Sequence, residues 1–382
     1  MRNFLNSAST GALIAAGSVF SFSGVAMAGP AVTCVTGIGQ PTSTECGENS
    51  ITTGPASTAL GSGATAGDNG TANGCRANAN EYRSVATGAG ALASQDFSTA
   101  TGSSAQATGT NLTATGFGSV ANNTNSTATG FAATANNVDT TATGRSALAS
   151  DLRSTATGTF SQAINANATA TGVSSNASGV NSTAVGQSST ANQNNLSAYG
   201  QLAQATGLES TAIGASSLAN NTNATATGVS SVAGNTNTTA TGKSATATGT
   251  GATATGANSL ANNTNTTAAG QGVQATGVNA TAAGVNSLAN NTSTTAIGAT
   301  ARPTGSSATA TGANPVANNT GISAYGRLAQ ATHVFATATG AGSTASCLQS
   351  TATGTFSQAT QFGATASGSQ ARAAGNQSTA SV

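Results

Sequence analysis

Charge is nearly absent from this chain: of 382 residues, 9 are Lys or Arg and 8 are Asp or Glu, for a formal net charge of +1. No block of like charge occurs, so there is no electrostatic footprint for nucleic acid or an anionic membrane surface, and neither is expected as a partner. Trp is missing, aromatics make up 3% and the apolar fraction is mostly Ala, which buries little area per residue and excludes a conventional globular core. His333 is the only histidine, and the acids Glu45, Glu48, Asp68, Glu81, Asp96, Asp139, Asp151 and Glu209 are scattered over the N-terminal half. Asp151 and Arg153 are expected at most to pair with neighbours at the surface, which contributes little. Catalysis needs clustered titratable groups, no base accompanies the abundant Ser and Thr, and no basic residue and helix follow the glycines to cradle a phosphate. The chain is therefore expected to be no enzyme and to carry no cofactor or metal.

Beyond the N-terminus there is also no apolar run of the length that crosses a bilayer as a helix, so no direct membrane span is expected. The N-terminus differs from the rest. Arg2 precedes an apolar stretch from Gly11 to Val25, which ends in Ala26-Met27-Ala28. This is the pattern of a secretory signal with an A-x-A cleavage site, so residues 1–28 are expected to be removed and the protein exported. An exported chain retains disulfides. Residues 29–56 are expected to form a cap or linker in which Cys34 and Cys46 pair. Cys75 and Cys347 are too far apart on the stacking described next, about 90 Å at ~4.8 Å per coil, so Cys347 is expected to be free or linked between chains.

What the sequence does have is glycine in strict register. A Gly recurs every 14 residues from Gly74 to Gly368, in 22 copies without insertion or deletion. Ala stands two residues before each of them and five residues after, with Pro303 the one exception at the second position. Each period divides into two halves of seven, an alternating segment and then a turn, as in Thr99-Ala100-Thr101-Gly102 and Val120-Ala121-Asn122-Asn123. Alternation puts the two Thr on one face and Ala100 on the other. The position seven after the glycine is usually Asn or Gly, types that tolerate the left-handed backbone of a tight corner.

Stacked coils satisfy their backbone hydrogen bonds between neighbours and align like side chains in ladders. The fold class expected is all-β, a parallel β-roll or β-solenoid of 14-residue coils over residues 57–382, roughly 100 Å long at the same spacing, with an interior too thin for a substrate pocket. Ser57-Thr58-Ala59-Leu60-Gly61 is an imperfect first coil, one residue out of register with Gly74. Ser378-Thr379-Ala380-Ser381-Val382 stops in mid-repeat, which suggests truncation or a partner that covers the end. Sequons such as Asn125-Ser126-Thr127 and Asn223-Ala224-Thr225 arise where a turn Asn meets the next Thr.

Ser182-Thr183-Ala184-Val185-Gly186 with Ser189-Thr190-Ala191, and Ser210-Thr211-Ala212-Ile213-Gly214 with Ser217-Leu218-Ala219, are similar to the head repeat of trimeric autotransporter adhesins of the YadA type. The resemblance implies a left-handed roll, a homotrimer of parallel rods, a place at the cell surface, outer membrane or outside the cell, and binding to host, matrix or other surfaces. The neck, coiled-coil stalk and C-terminal barrel of that family are not visible here. Where the family places Val and Ile flanking the inward Ala, at its trimer interface, the first flank is Thr in 18 of the 21 coils from Gly88 onward and the second in 13. Apolar residues remain at Val185, Tyr199, Ile213, Ile297 and Tyr325, candidates for contact between protomers.

The Thr ranks raise a second function, because Thr-x-Thr rows on a flat solenoid resemble those of ice-binding proteins. Twelve coils carry an intact Thr-Ala-Thr; the candidate ladder comprises Thr99, Thr101, Thr113, Thr115, Thr127, Thr129, Thr141, Thr143, Thr225, Thr227, Thr239 and Thr241. A structural surface coat is the third reading.

Overall fold

The computed structural model of the protein describes residues 34–37 and 40–382; the expected signal peptide, residues 1–28, lies outside them. Among the described residues there is no helix, and every element is a short strand. The chain divides into two compact units, Met1–Asn167 and Ala168–Val382. Each is a parallel β-solenoid of 14-residue coils.

A coil of the first unit shows the design. Thr99–Thr101 and Gln106–Ala107 are its two strands, and the chain then returns to Thr113–Thr115 one layer on. Pairing is parallel and in register, Thr99 with Thr113, Ala100 with Ala114 and Thr101 with Thr115, while Gln106 pairs with Val120 and Ala107 with Ala121. The second unit repeats the scheme, for example from Thr225–Thr227 to Thr239–Thr241. β-branched Thr suits the extended outer flanks.

The two turns of each coil are alike. In the first, Ala105 N–H donates to Gly102 O at 3.2 Å; in the second, Ser126 N–H donates to Asn123 O, also at 3.2 Å. In both, the third residue has positive φ, as a type II turn requires. Such residues recur every seven positions from Asn69 to Gln377, so the left-handed corner has a period of seven, whereas the positive φ of the turn-opening glycine, 129° at Gly102, recurs only every 14. This corrects the expectation for the corners: the left-handed residues stand two and nine after the repeat glycine, not seven. The residue at seven opens the turn. When it is Asn, its Oδ1 accepts from the next N–H, as Asn137 does from Val138 and Asn235 from Thr236. Its Nδ2 reaches a carbonyl of the following coil, as from Asn123 to Asn136 and from Asn221 to Gly234.

Four side chains per coil point inward. Two are the expected alanines at the strand centres, such as Ala128 and Ala135, both fully buried. The other two end the turns, and there Ser and Thr are buried as readily as Ala. Most of their hydroxyls donate to the carbonyl three residues back, as Ser119 does to Gly116 and Thr140 to Asn137, which removes the cost of burying them; the hydroxyls of Ser126 and Ser210 have no partner. Leu112, Leu196, Val273 and Ile322, the largest apolar residues fully enclosed, all occupy these turn-ending positions. In the stacked coils no apolar residue larger than Pro303 stands at a strand centre.

Stacking begins before Ser57. Gln40–Cys46 pairs antiparallel with Cys34–Gly37, and Cys34 and Cys46 are joined by a disulfide. Its last residues run parallel to Thr58–Leu60, and Ile51–Thr52 runs parallel to Thr65–Ala66. Glu45 therefore holds the register of an inward alanine, Ala59. Its Oε1 accepts from Thr52 N–H at 2.8 Å and from Thr52 Oγ1 at 2.7 Å. Beside it the Ser43 hydroxyl donates to Gly54 O at 2.9 Å and accepts from Ser57 N–H at 3.3 Å. These polar groups close the alanine core at its first coil. The one-residue slip before Gly74 falls in the Gly67–Gly70 turn: Thr52 pairs with Ala66, fourteen on, but Thr58 with Thr71, thirteen on.

Candidate binding faces

The outward side chains of the long strands form one face in each unit. In the first unit Thr99/Thr101, Thr113/Thr115, Thr127/Thr129, Thr141/Thr143 and Thr155/Thr157 stack on five successive coils in register. All ten are half-buried, each sheltered by its neighbours. In the second unit Thr225/Thr227, Thr239/Thr241 and Thr253/Thr255 form a shorter run.

The apolar candidates lie at the second flank of the second unit's long strands. Val185 pairs with Tyr199 and Tyr199 with Ile213, so the three stack on consecutive coils. Tyr199 and Ile213 are each 41% exposed, an apolar surface left uncovered within the unit. Ile297 and Tyr325 lie on the same row but are separated by Thr311, so they make no continuous patch.

The first unit carries a further row that the repeat alone did not single out. Phe117 and Phe131 stack with ring centroids 5.3 Å apart and planes 11° from parallel. The Arg145 guanidinium lies 5.9 Å from the Phe131 ring centre and 5.4 Å from that of Phe160, within cation–π range. The signal was present in the sequence, since Phe117, Phe131 and Arg145 each directly follow the repeat glycine. A second cluster sets Tyr82 edge-on to Phe97, with Arg83 5.0 Å over the Tyr82 ring.

His333 is exposed at the start of a turn, its Nδ1 3.2 Å from Thr332 Oγ1. Asp151 accepts from Asn137 Nδ2 and from Leu152 N–H. Asn111, Asn125 and Asp139 form a corner ladder, in which Asn125 Nδ2 donates to Asp139 at 3.0 Å. Cys75 is an exposed free thiol and Cys347 a half-buried one. Among the described residues no three His, Cys, Asp or Glu side chains gather where they could hold a metal, and no helix is long and apolar enough to cross a membrane.

The geometry is thus one of repeated faces, not of a single site. No curated protein matches the sequence. A family model described as the YadA head domain repeat matches residues 47–64, 66–105, 135–161, 163–195, 198–231, 233–272, 275–301 and 359–381, well over half of the chain. Its copies fall on the stacked coils of both units, and the chain belongs to the YadA head-repeat family.

Proposed function

We propose that this protein is the binding head of an exported surface adhesin, which associates as a homotrimer and attaches to host, matrix or other surfaces without catalysis. The observation that carries this reading is the family match extended over coil after coil of identical register. Such a scaffold presents the same side chains many times at fixed spacing. Weak contacts repeated along each solenoid unit and multiplied over three chains gain avidity without any single strong site. The Val185–Tyr199–Ile213 stack is the proposed contact between protomers, because it sets three large apolar side chains on consecutive coils of a face made mainly of Thr.

Light scattering on the chain from Gly29 onward tests the assembly: the expected mass is three times that of one chain, and a monomer overturns it. Tyr199→Thr with Ile213→Thr restores the ladder residue at both positions and is expected to weaken the trimer. Binding of the intact protein to immobilised matrix proteins, compared with bare surfaces, tests the adhesive role. Equal retention on both refutes it.

A further inference from the structure

One place in the second unit departs from the repetition of the coils. Three successive coils set Gly272 and Gln274, Asn286 and Leu288, and Thr300 and Arg302 side by side, along the glycine corner and the outward row of the short strands. Around these residues the surface sinks into a hollow of about 350 Å³. We infer that this hollow binds a carboxylate of an acidic polysaccharide, with Arg302 as its anchor. The inference rests on the adhesive reading and gives the head a class of ligand.

Three substitutions in the repeat make the hollow. Gly272 omits the side chain that most coils carry two residues after the repeat glycine. Arg302 places a cation on the short-strand row. Pro303 replaces the inward Ala, and it has no N–H to give to the preceding coil. Parallel pairing therefore runs from Gln274–Ala275 to Leu288–Ala289 and stops there, and it resumes between Arg302–Pro303 and Val316–Ala317. A proline inside a sheet belongs at such a break.

The groups left open in the hollow are donors. Among the described residues no hydrogen bond or ion pair engages the side-chain amides of Gln274 and Asn286 or the Arg302 guanidinium, whereas the Ser287 hydroxyl donates to Gly284 O and that of Thr300 to Ala299 O. A guanidinium presents paired N–H groups that match the two oxygens of a carboxylate, and the two amides add further donors. Leu288, half-buried between them, is an apolar floor for the C–H face of a sugar ring.

Nothing in the unit competes for the charge. Glu209 is its only acid, seven coils from Arg302, or about 34 Å, against a screening length of ~8 Å at physiological salt. The four cations that follow it, Lys243, Arg302, Arg327 and Arg372, all stand between one and four residues after a repeat glycine, and all are exposed. They therefore share the glycine corner and the short-strand face, and none stands on the long-strand face where the protomer contact is proposed. Arg327 lies two coils beyond Arg302, about 10 Å along the stack. Successive acidic sugars of one chain can engage both, so a polymer is favoured over a free sugar acid.

The experiment measures binding of the intact protein to immobilised polygalacturonate, with its full methyl ester and neutral dextran as controls. The acid polymer is expected to bind and the two controls are not. Arg302→Gln is expected to weaken binding about tenfold. Gly272→Ser leaves every charge in place, but a Cβ there would lie 2.5 Å from Asn286 Oδ1; it displaces that amide into the hollow and is also expected to weaken binding. Ser230 and Ser244 already adopt the backbone of this corner, at φ 55°, so the serine variant keeps the test decisive should Arg302→Gln misfold, which circular dichroism reads. Arg153→Gln, in the first unit, is expected to change nothing. No binding to the acid polymer, equal binding to its ester, or an equal loss in Arg153→Gln overturns the inference. If polygalacturonate is ignored while matrix proteins are still distinguished from bare surfaces, this inference fails and the adhesive reading stands; if neither is bound, both fail.

Discussion

Gly88→Ala and Gly90→Ala, two residues apart in one turn, are expected to differ sharply in cost. Gly88 has φ of +129°, and a Cβ there would lie 2.5 Å from the carbonyl carbon and 2.6 Å from the oxygen of Gly102 in the next coil. Gly90 has φ of +65°, and its Cβ would meet nothing nearer than Ser104 Oγ at 3.9 Å. Alanine at position 90 thus incurs only the left-handed strain of about 1 kcal/mol, a conformation that Ala132 already adopts at φ 52°. Alanine at position 88 adds backbone strain of about 1–3 kcal/mol in a region open essentially to glycine.

It must also push the next coil away at this corner. There Gly102 N–H donates to Thr87 O at 2.7 Å and Ser104 N–H to Ala89 O at 2.9 Å, and losing both costs about 1 kcal/mol each. The difference between the two variants is about 3 kcal/mol, roughly a hundredfold in a local opening equilibrium. Because a solenoid opens coil by coil, hydrogen exchange at Gly102 and Ser104 reads this better than a global melt. Equal protection of these two amides in both variants would refute the claim that contact between coils, and not φ alone, selects the repeat glycine.

Glu45→Ala removes the acceptor of both Thr52 donors; leaving them unpaired costs about 2–3 kcal/mol, and exchange is expected to rise at Ile51–Thr52 while the coils beyond Val85 keep their protection. Thr300 is a β-branched residue at φ 54°, so Thr300→Asn should stabilise the second unit by about 1 kcal/mol, seen as a higher denaturant midpoint; no change or a decrease counts against the strain argument. Ala142→Leu overfills a fully buried strand centre and is expected to destabilise its coil by about 3 kcal/mol or to prevent folding. Ser154→Ala, at a turn-ending inward position, is expected to cost no more than about 1 kcal/mol, and comparable melting of the two variants would contradict the difference between strand centres and turn ends.

Period, fold class and the two inward alanines were legible in the sequence, because a solenoid writes its stacking as repetition along one chain. Ala100 and Gly102 obey rules kept in all 22 coils, and the rule for Ala107 fails only at Pro303; a rule kept so often names its cause. The faces could be read in the same way: alternation alone puts Thr99 and Thr101 on one side, and stacking aligns Val185, Tyr199 and Ile213. Tertiary structure was needed wherever many residue types satisfy one backbone demand. The left-handed corners accept Asn, Ser, Gly, Arg and even Phe97 and Phe335, so no residue type marks them and only φ does. Buried Ser119 and Thr140 look like surface residues until their hydrogen bonds to the carbonyl three residues back are known. Glu45 resembles any other scattered acid until the register sets it opposite Ala59, where a carboxylate facing Thr52 closes the core. Repetition carries the first kind of information, whereas the second comes from distances between residues whose identities do not repeat.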